Sequence, residues 1–510
     1  MGGEAGDDHP QRPPRSRAGL VLLPLLIGVL WAAPALASVA PPAPPSAPPS
    51  LSLHGSATAL TTTGDAVWAA ESAPTGLVRT SGGAATRFAL APATSGSAPV
   101  TSLAPRSASS VWYARPAAGV IGWVDKDGTS GEIPLSGEPR YVARGSNGSV
   151  WALETATGNL DRFSVGGALL EQHAVGAFSA ETLSVVTNGL ATDSTGVVWL
   201  LRRAGQTELG RLKEDGTVTW VPVPLSGENY PVSLAAGPDG RMWGTAESEA
   251  GGVLFRVTSG GGVDAATTFP LAEIGGAAAG PDGNLWTTTS EWLADGWHSN
   301  LVRVGPTGAV LDREPIGTVT GPATALQLTG AQDTLWYSPA DRSNLTGRVL
   351  PLETSYLALG GPSSLLGSPT SAEYPVVRAW ARNFSGGRMY WSATTGSHEV
   401  HGLILDRYLR LGGPGTFLGL PTTDEKPSAT RTGRYSVFSG GVVVWSPPTG
   451  AHEVHGAIQA RWSALRAEGG RLGFPVTDEF TPFAGARQNN FQHGSIRWMA
   501  NTGTTSVLPH

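Results

Sequence analysis

The chain has 510 residues, too many for one ordinary domain, and 15% of them are charged, for a net charge of −6. That balance supplies no basic field for nucleic acid, and the complete lack of cysteine excludes disulfides, thiolate metal sites, cysteine nucleophiles and lipidation at cysteine. The 69 glycines and 40 prolines call for many tight turns, whereas 40% hydrophobic content with 17 tryptophans excludes a disordered chain, so short strands joined by turns are expected.

At the N-terminus, Arg12, Arg15 and Arg17 precede an apolar stretch from Ala18 to Leu30, and Ala35-Leu36-Ala37 supplies a small-x-small cleavage pattern. Residues 1–37 therefore read as a signal peptide, cleaved after Ala37. The stretch is short for a membrane span of about 20 residues, and Pro24 and Pro34 interrupt it. A secreted, extracellular protein with no stable membrane span after cleavage is expected. Residues 38–50, containing VAPPAPPSAPPS, read as an extended Pro-rich linker without a core of its own.

Residues 51–351 carry an internal repeat. A short apolar run ending in tryptophan recurs seven times, at Trp68, Trp112, Trp151, Trp199, Trp243, Trp286 and Trp336, in steps of 44, 39, 48, 44, 43 and 50 residues. A turn signal such as Gly237-Pro-Asp-Gly240 precedes each, and a second short strand follows, as in LVRT after Gly76 or LFRV from Leu254. Four strand-like segments at a period in the low forties predict propeller blades, with one tryptophan per blade packed against the neighbouring blade. The seventh repeat changes character before a fourth strand, while Ser50–His54 stands strand-like in front of the first. That piece is expected to complete the last blade and close the ring, removing free sheet edges.

Residues 352–510 carry a different repeat in three copies. Leu352/Tyr356/Leu359, Ile404/Tyr408/Leu411 and Ile458/Trp462/Leu465 lie at i, i+4, i+7, the apolar stripe of a short helix. Gly360-Gly361, Gly412-Gly413 and Gly469-Gly470 are expected to stop these helices. Leu366-Gly-Ser-Pro369, Leu418-Gly-Leu-Pro421 and Leu472-Gly-Phe-Pro475 follow, then a Phe-containing turn and a strand bearing Trp391, Trp445 or Trp498. Each copy reads as a helix plus a β-hairpin. The fold class is thus mainly β: a seven-bladed β-propeller followed by a small α+β tandem-repeat domain. His-Glu-Val-His occurs at His398–His401 and again at His452–His455. It is not the HExxH of zinc enzymes, because no long helix carries it and, on a strand, the two histidines point to opposite faces. A structural role in a turn is expected, with no metal and no cofactor.

Through GPDGRMW, GPDGNLW and the strands LGRL and LVRV, the first repeat resembles the virginiamycin B lyase (streptogramin lyase) family of seven-bladed propellers. The resemblance implies opening of a lactone by elimination, a carbon–oxygen lyase reaction, with a His base beside a metal held by another His and by Glu at the central entrance. The corresponding positions, eleven residues before each blade tryptophan, are Ala57, Thr101, Arg140, Asn188, Val232, Gly275 and Ala325, and none is His. Elimination needs a base and an electrophile, so the resemblance predicts the fold without the chemistry. Candidate ligand-binding residues at the entrance, for a protein or a small molecule, are Thr101, Arg140 and Asn188, with Glu71, Arg115, Glu154 and Arg202, which lie three residues after a blade tryptophan. Catalytic residues are expected to be none. The second repeat resembles the LGFP family through LGLP, LGFP, FSGG at Phe384 and Phe438, and TGAHEVHG ending at Gly456. That resemblance implies an exported, cell-wall-associated protein of the actinobacterial kind whose partner is a cell-wall glycan or other envelope polymer.

Overall fold

The computed structural model describes residues 49–509 apart from residues 65, 82–83, 93–97, 180–185, 259, 320–327 and 339–343. The expected signal peptide and nearly all of the linker lie outside the described residues. Seven four-stranded antiparallel sheets are followed by two more of four strands and one of three. The inner strands of the seven are Ala57–Thr63, Ser102–Pro105, Pro139–Arg144, Leu190–Thr192, Asn229–Ala236, Ala272–Ala279 and Leu328–Ala331. Each lies beside the next, and the seventh lies beside both the sixth and the first, which closes a seven-bladed ring. The outer strand of blade seven is Ser50–Ser52, paired antiparallel with Asn344–Val349 so that Ser50 faces Thr346. Leu51 and Leu53 are buried there against Val67, Ala69 and Leu345, so apolar burial as well as backbone pairing fastens the ring.

The tryptophans follow one rule. Trp112 packs among Val142, Val150 and Phe163 of blade three, Trp199 among Leu234, Met242 and Phe255 of blade five, and Trp286 among Leu328 and Leu335 of blade seven. Each bridges the gap to the following sheet, as expected from one large side chain per repeat. In blades five and six the indole N–H is satisfied within the turn: Trp243 donates to Asp239 Oδ1 at 3.2 Å and Trp286 to Asp282 Oδ1 at 3.1 Å. An arginine from the third strand lies over the same indole in several blades, at 5.7 Å for Arg256 on Trp243 and 5.3 Å for Arg303 on Trp286. The GPDG turn and the Arg of LFRV or LVRV are thus parts of one packing unit.

Each tandem copy begins with a helix: α1 (Pro351–Ala358), α2 (Gly402–Arg410) and α3 (Gly456–Ala464). The sheet after it is larger than the expected hairpin. In the first two copies His-Glu-Val-His forms a further strand, Gly396–His401 and Gly450–His455, rather than a turn. Its alternation of polar residues hid it. The LGxP motif has a direct physical reading. Its leucine is buried, and its glycine lies in the left-handed region, with φ of +66° at Gly367, +65° at Gly419 and +72° at Gly473. The glycine carbonyl accepts the helix's aromatic donor, at 2.7 Å from the Tyr356 hydroxyl, 2.6 Å from Tyr408 and 3.2 Å from Trp462 Nε1. The proline pairs with the phenylalanine of the next turn, as Pro421 does with Phe438. Left-handed Gly360-Gly361 and Gly412-Gly413 end α1 and α2 as expected. Helix α3 ends earlier than Gly469-Gly470: non-glycine residues Arg466 and Ala467 take the left-handed backbone instead, at φ +70° and +49°. Ala381, Tyr390 and Val400 of the first copy share one core with Ile404, Tyr408 and Val443 of the second, so neighbouring copies fold onto each other.

Candidate functional site

At the mouth of the propeller, where inner strands begin and second strands end, the structure brings the sequence candidates to one end of the blades. Thr101 stands just before the inner strand of blade two, and its hydroxyl donates to the Arg140 carbonyl of blade three at 2.6 Å. The Asn188 side-chain amide of blade four donates to the Leu234 carbonyl of blade five at 2.9 Å. These groups stitch neighbouring inner strands together. Ala325 lies outside the described residues.

Of the charged candidates at the ends of second strands, Glu71, Arg115 and Glu154 hold backbone. Glu71, 2% exposed, accepts the His54 N–H at 2.8 Å and pairs with Arg87 at 3.4 Å. Arg115 donates to the Ala98 carbonyl at 3.2 Å, to the Ala91 carbonyl at 2.9 Å and to Glu132 at 3.1 Å. Arg202 pairs with Glu208 at 2.8 Å and lies 3.7 Å above the Trp220 ring. Glu154 accepts the Gly137 N–H and neighbours the buried Asp161. Burial first, and then that second carboxyl, push Glu154 up to about 7. Sequence reasoning missed a further member, Glu247, which accepts the Ile274 N–H of blade six at 2.6 Å. The signal was present in the recurring AAES, ALET and TAES segments. Histidines of the propeller lie elsewhere: His54 in the link from the closing strand, His173 in the outer strand of blade three and His298 in the third strand of blade six. Among the described residues no group of three or more His, Cys, Asp or Glu side chains could hold a metal ion.

The His-Glu-Val-His strands form a clamp between consecutive copies. His401 meets Glu399 through Nδ1 at 2.7 Å and, through Nε2, Glu425 of the next copy at 3.2 Å. Glu399 also accepts the Glu425 N–H at 3.0 Å, and Asp424 accepts the Glu399 N–H at 3.1 Å. The second junction repeats this with His455, Glu453 and Glu479, at 2.7 and 3.5 Å. The flanking carboxylates push His401 and His455 up from the ordinary imidazole range, while burial pushes Glu425 and Glu479 up from the carboxylate range. The third copy has Thr505, Ser506 and Leu508 at the matching positions and carries no such clamp.

Glu373 occupies in the first copy the place of Glu425 and Glu479, and its partner belongs to the propeller. Arg303, on the third strand of blade six, donates to Glu373 at 2.7 Å and pairs with Asp282 of the GPDG turn. Against its burial, the Arg303 charge and then the donors of Asn284 and Trp286 hold the Asp282 carboxyl below the usual range; burial raises Glu373. Arg303 lies 3.9 Å over Trp380 of the first copy, and Arg382 pairs with Glu353 while reaching the Pro281 carbonyl at 3.4 Å. Blade six therefore serves the first copy as a preceding copy serves the others.

The architecture is that of a seven-bladed propeller joined to tandem LGFP-type repeats. The family comparisons agree: residues 52–264 match the virginiamycin B lyase family, and residues 366–415, 418–470 and 472–509 match the LGFP repeat. Among solved structures, the chain is similar to virginiamycin B lyase from Staphylococcus aureus, at 21% identity over 59% of this chain and 98% of that one, with a TM-score of 0.49. It is similar to a streptogramin B lyase at 19% identity over 59% and 95% of the two chains, with a TM-score of 0.47. No curated protein matches the chain. Among the described residues no helix is long and apolar enough to cross a membrane.

Proposed function

We propose that the protein is secreted and associates with the cell envelope, its LGFP repeats holding it to a wall glycan or related envelope polymer while the propeller serves as a non-catalytic binding platform. The observation that carries the anchoring half is the match of three tandem copies to the LGFP repeat. Several weak contacts on one chain act through effective concentration and raise retention by roughly 10²–10⁴ over a single contact. For the propeller, the reading is supported by the employment of Glu71, Arg115 and Glu154 in bracing backbone, with no His at the seven mouth positions. Thr101, Arg140, Asn188 and Arg202 remain the candidates for contact with a ligand at the mouth. The test is sedimentation of the mature protein with purified cell wall, with and without residues 352–510. The intact chain is expected to pellet and the shortened one to stay in solution with its propeller folded; equal pelleting of both would place anchoring elsewhere.

A second reading, a secreted streptogramin-lyase-like enzyme with displaced active groups, is favoured by the family match over residues 52–264. Metal-dependent opening of a streptogramin B lactone by the purified protein would establish it over the first.

A further inference from the structure

Charge is divided unevenly along the chain. Residues 51–351 carry 27 acidic side chains against 18 Lys and Arg, whereas residues 352–510 carry 10 against 13. The surface of the repeats is more cationic than that count, because eight of their ten acids pair with a His or Arg. Cations without such a partner gather where the second copy meets the third. Ala429, in the hairpin turn of the second copy, donates its N–H to Glu468 in the third copy at 2.8 Å. Arg431 lies two residues from Ala429, while Arg466 and Arg471 lie two and three residues from Glu468, so all three are rooted close to that bond. All three are exposed, and no hydrogen bond, ion pair or ring contact engages their side chains. Their backbone adds a second observation. Arg431 and Arg466 have left-handed φ of +58° and +70°, a region that glycine occupies freely and a residue with a Cβ does not. Other copies show the unstrained choice: Gly360 and Gly412 stand where Arg466 does, at the head of the same turn, and Gly485 stands where Arg431 does. Arg471 takes the place of Leu365 and Phe417 in front of the LGxP motif. Neither packing nor turn geometry calls for an exposed, unpaired arginine on left-handed backbone; placement for a ligand does.

We infer that Arg431, Arg466 and Arg471 form a site for the anionic groups, phosphate or carboxylate, of an envelope polymer; this rests on the envelope-binding reading and adds the chemistry of its ligand. A guanidinium donates through a planar fork that fits either group. Cations also recur at the period of the repeats, since Arg378 holds the matching turn of the first copy at φ +55°. A repeating polymer presents its charges in the same periodic way, which a folded partner does not. The excess of acids on the propeller has the opposite sign. An anionic polymer therefore attracts the repeats and repels the propeller, which turns the propeller away from the wall.

The test titrates the full mature chain by calorimetry with sodium polyphosphate, with polygalacturonate and with neutral dextran. At low salt at least one of the two polyanions is expected to bind, and which of them binds tells phosphate from carboxylate. The affinity is expected to fall roughly ten-fold between about 50 and 200 mM salt, as counterions are released from about three contacts. The variant Arg431→Gly/Arg466→Gly/Arg471→Leu gives each position a residue that another copy has there. It is expected to weaken binding ten-fold or more while keeping or raising the melting temperature. Arg144→Gln, at an exposed arginine of blade three, is expected to leave binding unchanged. Binding of neither polyanion, equal binding of dextran, or binding that survives the triple variant overturns the inference. So does adhesion to phosphatidylglycerol vesicles, or self-association through these arginines, in place of polymer binding. Sedimentation with purified wall separates this from the repeat-anchoring reading. A parent that does not pellet counts against anchoring, while the polymer titration still decides the site; a parent that pellets yet binds neither polyanion keeps the anchoring and removes the site.

Discussion

At the base of blade six Arg303 pairs with two buried carboxylates, Asp282 and Glu373. Removing it leaves Asp282 without its ion-pair partner and Glu373 with only the neighbouring Arg382. Arg303→Met is expected to cost about 3–5 kcal/mol, read as a lowered urea midpoint at unchanged slope. Glu373→Gln keeps shape and hydrogen bonding while removing one carboxylate, so its cost should be smaller. At this scale the sequence was informative where a residue type repeats. The tryptophan at each blade was legible because every sheet needs one large side chain against the next. The work of Arg115 was not, because two of its three partners are the backbone carbonyls of Ala91 and Ala98, and a carbonyl leaves no mark on residue identity. The same holds for Glu71 and the His54 amide. Entrance candidates could be located from their offset to tryptophan, but their bonding could not.

The connection between copies is the element whose behaviour depends most on pH. His401 and His455 have folded pKa values above the ordinary value of about 6.5, so their stabilisation is complete below that value and is lost as pH rises through the raised values. Glu425 and Glu479 are also raised, so folding retains their protons longer and stability again falls as pH rises past about 4.3. His452, depressed by burial, acts in the opposite sense just below 6.5. The melting temperature of the repeats is therefore expected to fall from pH 6 to pH 8, and a His401→Asn/His455→Asn chain to show a flatter profile. A steeper fall in the double variant would contradict the clamp. The LGxP turn offers a second check. A methyl group on Gly419 would stand 2.2 Å from Ser439 Oγ on a left-handed backbone, so Gly419→Ala should destabilise by about 1–3 kcal/mol, measured by denaturant titration. The helices and this turn were readable from apolar spacing and glycine position. The clamp strand was not, because its partners, Asp424-Glu425 and Asp478-Glu479, lie about 25 residues onward and its own residues are polar.

Over the whole molecule, the ring depends on a strand drawn from the far end of its sequence. A chain that starts at Gly55 lacks Ser50–Ser52 and the buried Leu51 and Leu53, each worth about 1.5–3 kcal/mol of apolar burial. It also leaves the Asn344–Val349 edge unpaired. Compared with a chain starting at Val39, it is expected to melt lower and to aggregate on gel filtration. The direction of that strand has a mechanical consequence. Ser50 faces Thr346, and the Pro49 carbonyl accepts the Gly347 N–H at 2.7 Å, so the chain enters blade seven at the end from which it leaves for α1. Tension applied to both of these ends pulls the two strands apart in zipper fashion, one hydrogen bond after another, and the seventh blade would open before any other. Load that reaches the molecule through the repeats alone enters by the covalent link from Val349 to α1 and by the Arg303 pairs of blade six, and leaves Ser50–Ser52 unpulled. A tether at one end thus spares the seam that a tether at both ends would tear.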